Sequence, residues 1–246
     1  MINDDMRKRI DSAGSVCVFT GAGVSAESGI PTFRDSGGLW ENYKLEDLVT
    51  PEAFRRDPVS VWRWHLWLRS LSSKAEPNEA HRIIAEMESA YPEFLVITQN
   101  VDDLHERAGS KKIAKIHGDI MEITCLSKGH LSRVDSQTLI DEAMDVKSLP
   151  VCPECGGKAR PNVVWFGEML PTEPLSKAYE AAGACDLFII VGTSGVVSGG
   201  YGFTEMAKNA GALIIEVNPE ESTLSRFADI CIRNNAVSAM SQIYRK

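Results

Sequence analysis

Several short apolar runs of this chain end abruptly in residues that can do chemistry: Thr20-Gly21, Gln99-Asn100, His117-Gly118 and Gly192-Thr193-Ser194. A histidine at the end of a strand is well placed as a general base near neutral pH, which makes His117 a candidate proton acceptor. A lone histidine is more often structural. Asn100 and Asp102 stand two residues apart, so a carboxamide and a carboxylate can face one ligand and bond its amide and hydroxyl groups. The same pair also suits a helix cap.

Gly21-Ala22-Gly23-Val24-Ser25-Ala26 fits G-x-G-x-x-[GA] directly after the apolar run 16–19. Such glycines permit a tight turn and the close approach of a pyrophosphate, which a helix N-terminus then stabilises. An enzyme that moves a hydride usually adds an acidic residue about 20 positions on, at the end of the second strand. Here the second run, FLVITQN, ends in Gln99 and Asn100, and Glu41 has the spacing but lies outside any strand-like run. The stretch Ser28-Gly29-Ile30-Pro31-Thr32-Phe33-Arg34 has a Gly-Pro break and an arginine where a long helix is expected. These features indicate a loop that covers a dinucleotide and weaken a hydride-transfer reading.

Cys152-Pro153-Glu154-Cys155 is a knuckle suited to tetrahedral zinc. Upstream stands Cys125, with Lys128 where a second C-x-x-C would place its cysteine. His130 completes a C-x₄-H arrangement as a fourth ligand; otherwise the site is incomplete. Val163-Val164-Trp165-Phe166-Gly167-Glu168 is an extended-looking segment whose backbone suits strand addition by a peptide, or a plain edge strand.

The elements that must position these groups are a set of continuously apolar runs at 16–19, 94–98, 114–117, 187–191, 213–217 and 230–232. Continuous rather than alternating hydrophobicity marks strands covered on both faces. Helix-like segments at 5–13, 79–89, 174–182 and 202–209 lie between them. The expected fold is α/β, a doubly wound Rossmann-like parallel sheet with ligands at the strand carboxyl ends. Two stretches break the alternation: 39–73, which holds Trp62, Trp64 and Trp67, and 122–160 around the cysteines. They look like a small helical insertion and a metal-supported lobe.

The net charge of −8 argues against non-specific nucleic-acid binding, which needs an excess of Lys and Arg. The polar start MINDDMRKRI has no apolar signal core, and the run 187–197 is broken by Gly192 and Gly195. A cytoplasmic protein with no membrane span is expected, with reduced thiols. Cys17, Cys185 and Cys231, in or beside apolar runs, then read as small core residues. His81 and His105 lie in helix-like segments and read as structural.

Together the motifs GAGVSAESGIPTFR (21–34), TQNVDDLHERAGS (98–110), IHGD (116–119), CPEC (152–155), RPNVVWFGE (160–168), GTS (192–194) and VNPE (217–220) resemble the sirtuins, the NAD-dependent protein lysine deacylases. The resemblance covers nearly the whole chain, in order. It implies a single catalytic domain, with 1–38, 79–121 and 158–246 as the NAD-binding lobe. The helical module, 39–78, and the zinc-ribbon module, 122–157, then make a smaller lobe. It implies an NAD site formed by Gly21, Ala22, Gly23, Ala26, Thr32, Phe33, Arg34, Trp40, Gln99, Gly192, Thr193, Ser194, Asn218 and Glu220. Asn100 and Asp102 are expected to hold the ribose and the nicotinamide carboxamide, and His117 to be the base. Val164, Phe166 and Gly167 are expected to pair with the backbone around an acylated lysine, while Cys125, His130, Cys152 and Cys155 hold a structural zinc.

One departure bears on the substrate. The segments look most like the sirtuin branch that removes succinyl and malonyl groups, which carries a Tyr-x-x-Arg pair for the acyl carboxylate. The matching positions here are His65 and Leu68, with Arg69 displaced by one, and one residue on a helix turns a side chain by about 100°. Neutral acyl groups are therefore expected: acetyl, or longer apolar chains accommodated by Leu66, Trp67 and Leu68. The rival readings are a desuccinylase or demalonylase, protein ADP-ribosyl transfer, a nicotinamide-dependent oxidoreductase and a non-catalytic sensor.

Overall fold

The computed structural model describes residues 2–33, 44–134, 149–197 and 200–244. Helix α1 (Asp4–Asp11) opens at Asn3, whose side chain accepts from the Met6 N–H at 2.9 Å. Strand β1 (Ser15–Thr20) follows, then two 3-10 turns, Ala22–Val24 and Ala26–Ser28, in place of a long helix. A helical module comes next: α2 (Leu45–Leu48), α3 (Pro51–Arg56) and α4 (Pro58–Lys74). Thr50 and Asp57 cap α3 and α4, each with proline in the first turn, where its missing N–H costs nothing.

Helix α5 (Glu79–Ala90) starts in a capping box made by Asn78 and His81. The Asn78 amide also donates to Val24 O at 2.8 Å and Ser28 Oγ at 3.0 Å, which ties this helix start to the glycine loop. Then come β2 (Glu93–Thr98), α6 (Leu104–Ala108), β3 (Ile113–Lys115), β4 (Gly118–Cys125), β5 (Leu131–Arg133) and β6 (Ala159–Val163). The chain finishes with α7 (Thr172–Ala184), β7 (Leu187–Val191), α8 (Gly200–Asn209), β8 (Leu213–Val217), β9 (Ile230–Ile232) and α9 (Ala236–Ile243).

The main sheet is wholly parallel, in the order β3-β2-β1-β7-β8-β9. Alternate strand residues serve opposite faces: Val16, Val18 and Ile189 pack under α1, α5 and α9, while Cys17, Phe19 and Phe188 pack under α7 and α8. This is the doubly wound sheet expected from the continuous apolar runs. The strand order reverses between β1 and β7, so the crevice at their carboxyl ends is the natural ligand site. A separate antiparallel sheet, β5-β4-β6, starts one residue past His117.

Cys17 and Cys185 are buried as expected, but Cys231 is exposed. It lies on β9, the edge strand of the sheet, with no further strand beside it among the described residues. Among the described residues no helix is long and apolar enough to cross a membrane.

Candidate active site

The site is built where the β1 and β7 loops meet backbone to backbone. Gly21 N donates to Val191 O at 3.0 Å and Gly23 N to Gly192 O at 2.9 Å. A Cβ on Gly23 would lie 2.7 Å from Gly192 Cα, and Gly192 itself has φ +62°, a conformation that favours glycine. The glycines of the dinucleotide-like turn are therefore required by the neighbouring loop as well as by any ligand.

These loops form one wall of a cleft of about 240 Å³. The cleft brings together Ala22, Gly23, Thr32, Phe33, Gln99, Asn100, His117, Gly192, Thr193 and Ser194 with Leu68, Val164, Phe166 and Gly167. A recess off the cleft, past Asn100, is lined by Ser25, Ile30 and Asp102. Fourteen expected site residues thus line the cleft, and Asp102 lines its inner recess.

The other described residues of the expected NAD site do not line the cleft. Gly21 is buried in the loop contact, and Ala26 is exposed on the second 3-10 turn. Asn218 supports the β7 loop, its amide donating to Thr193 O at 3.0 Å. The Glu220 side chain is exposed, and its carbonyl accepts from Arg233. Arg34 and Trp40 lie outside the described residues.

The polar groups are held in defined states. The His117 Nδ1 lies 2.9 Å from Gln99 O. A carbonyl only accepts, so Nδ1 carries a proton, and in the neutral ring Nε2 is the nitrogen with the lone pair of a base. Gln99 Oε1 accepts from Thr193 Oγ1 at 2.7 Å, while its Nε2 is buried with no partner in the described structure. A buried amide donor without a partner is a cost that a ligand reaching it would remove. Asn100 Nδ2 donates to Ser25 Oγ at 3.1 Å, and Ser25 Oγ donates to Asp102 Oδ2 at 3.0 Å. Burial pushes the Asp102 carboxyl above its usual range, against the opposing pull of the Leu104 N–H and Ser25. Ser25 was not among the expected site residues, although it sits inside the quoted glycine motif.

At the substrate edge the inward donors are already used. Val164 N donates to His117 O and Phe166 N to Val49 O, both at 2.9 Å, and Trp165 N donates to Glu168 Oε2 at 2.8 Å. Arg160 fixes this turn, pairing with both Glu168 oxygens and stacking 3.5 Å over the Trp165 ring. The Val164 and Phe166 carbonyls and the Gly167 N–H have no hydrogen-bond partner among the described residues, as an edge open to strand addition requires.

Helix α4 supplies the apolar end. Trp64 and Leu68, four residues apart, line the cleft together. His65 does not line it: the ring is buried behind the wall, with Nδ1 at 2.8 Å from Val61 O and Nε2 accepting from Trp165 Nε1 at 3.1 Å. Burial drives its pKa down to about 4, so it is neutral. Leu66 packs instead against Ile123 and Ala159, and Trp67 is 37% exposed; neither is among the described residues that line the cleft. Arg69 turns away as expected, donating to Ile120 O at 2.9 Å and to Val134 O.

The knuckle gathers all four expected ligands: Cys125 Sγ, His130 Nδ1, Cys152 Sγ and Cys155 Sγ lie within 4.8 Å of one another. Cys125 Sγ is 3.5 Å from Cys155 Sγ, and Cys152 Sγ is 3.5 Å from His130 Nδ1. Tetrahedral bonding at ordinary Zn–S and Zn–N lengths sets these separations at about 3.5–3.8 Å, so the donor set fits zinc. His130 occupies the fourth corner.

The profile of the Sir2 family matches residues 21–199. The chain belongs to the Sir2 family. It is similar to an NAD-dependent protein deacylase of Aquifex aeolicus, 48% identical over 230 residues and 94% of each chain. It is similar to one of Thermococcus kodakarensis too, 45% identical over 97% of this chain and 93% of that one. Among solved structures it resembles a Sir2 homologue bound to NAD, with TM-score 0.89 and 41% identity over 99% of this chain and 93% of that one. A Sir2 homologue mutant bound to ADP-ribose gives TM-score 0.91 and 41% identity, covering 98% and 94%. NAD is bound in a solved Sir2 homologue, and the four-residue Cys/His cluster of this chain could hold zinc.

Proposed function

We propose that this Sir2-family chain is an NAD-dependent protein lysine deacylase acting on neutral acyl groups, with acetyl-lysine as the reference substrate. The observation that carries this reading is the placement of His117 with its proton on Nδ1, in one cleft with the glycine loop, the unmatched Gln99 amide and an open backbone edge. In this reading 39–78 is a helical module and 122–157 a zinc module of a single catalytic domain.

The glycine loop and Gly192, Thr193 and Ser194 cradle the dinucleotide phosphates, and Gln99 and Asn100 bond the ribose. Asp102 and Ser25, at the inner recess, receive the nicotinamide carboxamide. The acyl-lysine peptide pairs with Val164, Phe166 and Gly167 and directs its amide into the cleft. The bond broken is the one between nicotinamide and ribose, so no acidic residue is needed to manage a hydride. The acyl oxygen takes the ribose carbon that nicotinamide leaves, and His117 Nε2 then removes the proton from a ribose hydroxyl that attacks the acyl carbon. The lysine amine then leaves with a proton and one water adds to the former acyl carbon, so the products are free lysine, nicotinamide and O-acyl-ADP-ribose. The protein's contribution is positioning and orientation.

The acyl preference follows from the lining. Among the described residues no lysine or arginine lines the cleft, and Leu68 and Trp64 present hydrocarbon where a carboxylate-tipped acyl group would need a cation. Acetylated peptide with NAD, followed by mass spectrometry, tests the whole reading, with His117→Ala as control. Equal turnover by the substituted protein, or succinyl-lysine processed faster than acetyl-lysine, would sink it.

A further inference from the structure

A chain of charges joins the metal-binding hairpin to the loop that carries Asn100 and Asp102. Arg133 ends β5, three residues after His130. Its guanidinium donates to Asp103 Oδ2 at 3.0 Å and to Asp119 Oδ2 at 3.3 Å. Both carboxylates are buried. On the other side of Asp119, at 3.0 Å, lies Lys115 Nζ, which also donates to the Asp102 carbonyl at 2.7 Å and to Glu106 Oε1 at 2.9 Å. Burial alone would lower the Lys115 pKa, but Glu106 and Asp119 outweigh it and hold the ammonium above its usual range. His117 lies between Lys115 and Asp119 in sequence, so the cluster abuts both halves of the reaction centre.

Arg133 and Asp119 are the members of this cluster carried by the hairpin; Arg133 alone comes from β5, which among the described residues pairs only with β4. The position of Arg133 therefore depends on that pairing and on the metal ligand His130. Without the guanidinium, Asp103 Oδ2 loses its donor, and the nearest remaining cation, Arg107 Nη1, is 3.8 Å from Oδ1. A buried carboxylate stripped of its partner must move or be protonated. Asp103 adjoins Asp102 and begins α6, so the loop moves with it.

We propose that Arg133 is a positioning residue through which the metal-held hairpin sets the geometry of loop 99–103. This inference rests on the NAD-consuming reading of the cleft. Its test uses the whole protein with metal content measured, NAD affinity by calorimetry and steady-state kinetics with acetylated peptide. Arg133→Gln at full metal content should weaken NAD binding about fivefold or more, the scale of a typical coupling between sites, with Arg133→Lys largely restoring it. Asp103→Asn should give a similar loss, and the double variant no more than the larger single effect. Metal removal should weaken NAD binding in the wild type and have a smaller effect in Arg133→Gln. Unchanged affinity in metal-replete Arg133→Gln, or an equal loss on metal removal in both proteins, overturns the proposal. Wild-type protein that binds NAD but does not deacylate refutes the functional reading alone, because the affinity comparison still stands.

Discussion

Gly23 and Gly192 touch through their backbones, with Gly23 N donating to Gly192 O at 2.9 Å and no room for a side chain on either. A Cβ on Gly192 would sit 2.6 Å from Gly23 Cα, in a residue already at φ +62°. Gly192→Ala is therefore expected to destabilise the fold by about 2–5 kcal/mol, a strained φ plus a backbone overlap, and to abolish NAD binding. Thermal unfolding and an NAD titration check this. A protein of wild-type stability that binds NAD normally would show that the loops part without cost.

The metal site makes a prediction about ligand chemistry. Purified protein should hold one equivalent of zinc, lost in Cys152→Ser and in His130→Ala but kept in His130→Cys, which preserves four donors. Chelation should lower the melting temperature, because the metal binding energy is also folding energy for the hairpin. Full zinc retention in His130→Ala would exclude the histidine as fourth ligand.

The parts of the fold legible in the sequence were those written in local pattern. Strands β1 and β7 are apolar on both faces because helices cover both, and the abrupt change at Thr20 and Val191 marks where the sheet ends and the cleft begins. The knuckle at Cys152 and Cys155 is legible for the same reason. The parts that were not legible depend on distant partners. His65 looked like a cleft residue because it stands where the related branch carries the Tyr of its Tyr-x-x-Arg pair, but Trp165 Nε1, 100 positions away, takes its Nε2. Helix α4 is apolar nearly all round, so its sequence did not reveal that Trp64, rather than Leu66 or Trp67, joins Leu68 at the cleft. Cys231 reads as core from its neighbours, and only the strand order shows that β9 is an edge.

Buried imidazoles predict an acid weakness. His65 and His81 are each driven by burial to a pKa of about 4, and His105 is driven well below its ordinary 6.5. In the unfolded chain these groups take up protons near pH 6.5, while the folded protein keeps them neutral. The unfolded state thus binds more protons, and stability is full above about pH 6.5 and lost as pH falls toward 4. Each group adds a slope of about 1.4 kcal/mol per pH unit across that window. Urea unfolding at pH 7 and pH 5 should show the fall, and His65→Gln should make it shallower. An identical slope in the variant would mean that His65 is already charged in the fold.

The acyl preference can be reversed by one residue if Leu68 is the wall that the acyl group meets. Leu68 lines the cleft beside Trp64, whereas the nearby guanidinium of Arg69 is buried and committed to Ile120 O and Val134 O. Leu68→Arg places a cation where the hydrocarbon stood, on the cleft-facing side of α4, within a chain that leaves Arg69 in place. A guanidinium that meets an acyl carboxylate in a partly desolvated cleft forms a charge-assisted pair, stronger than a neutral hydrogen bond. The ratio of kcat/KM for succinyl-lysine over acetyl-lysine peptide should rise by about tenfold or more, equivalent to about 1.4 kcal/mol. Acetyl-lysine turnover should fall, because the charged side chain costs desolvation when a neutral acyl group fills the cleft. A ratio unchanged from wild type, with the variant folded and binding NAD, would show that the acyl group reaches a different wall.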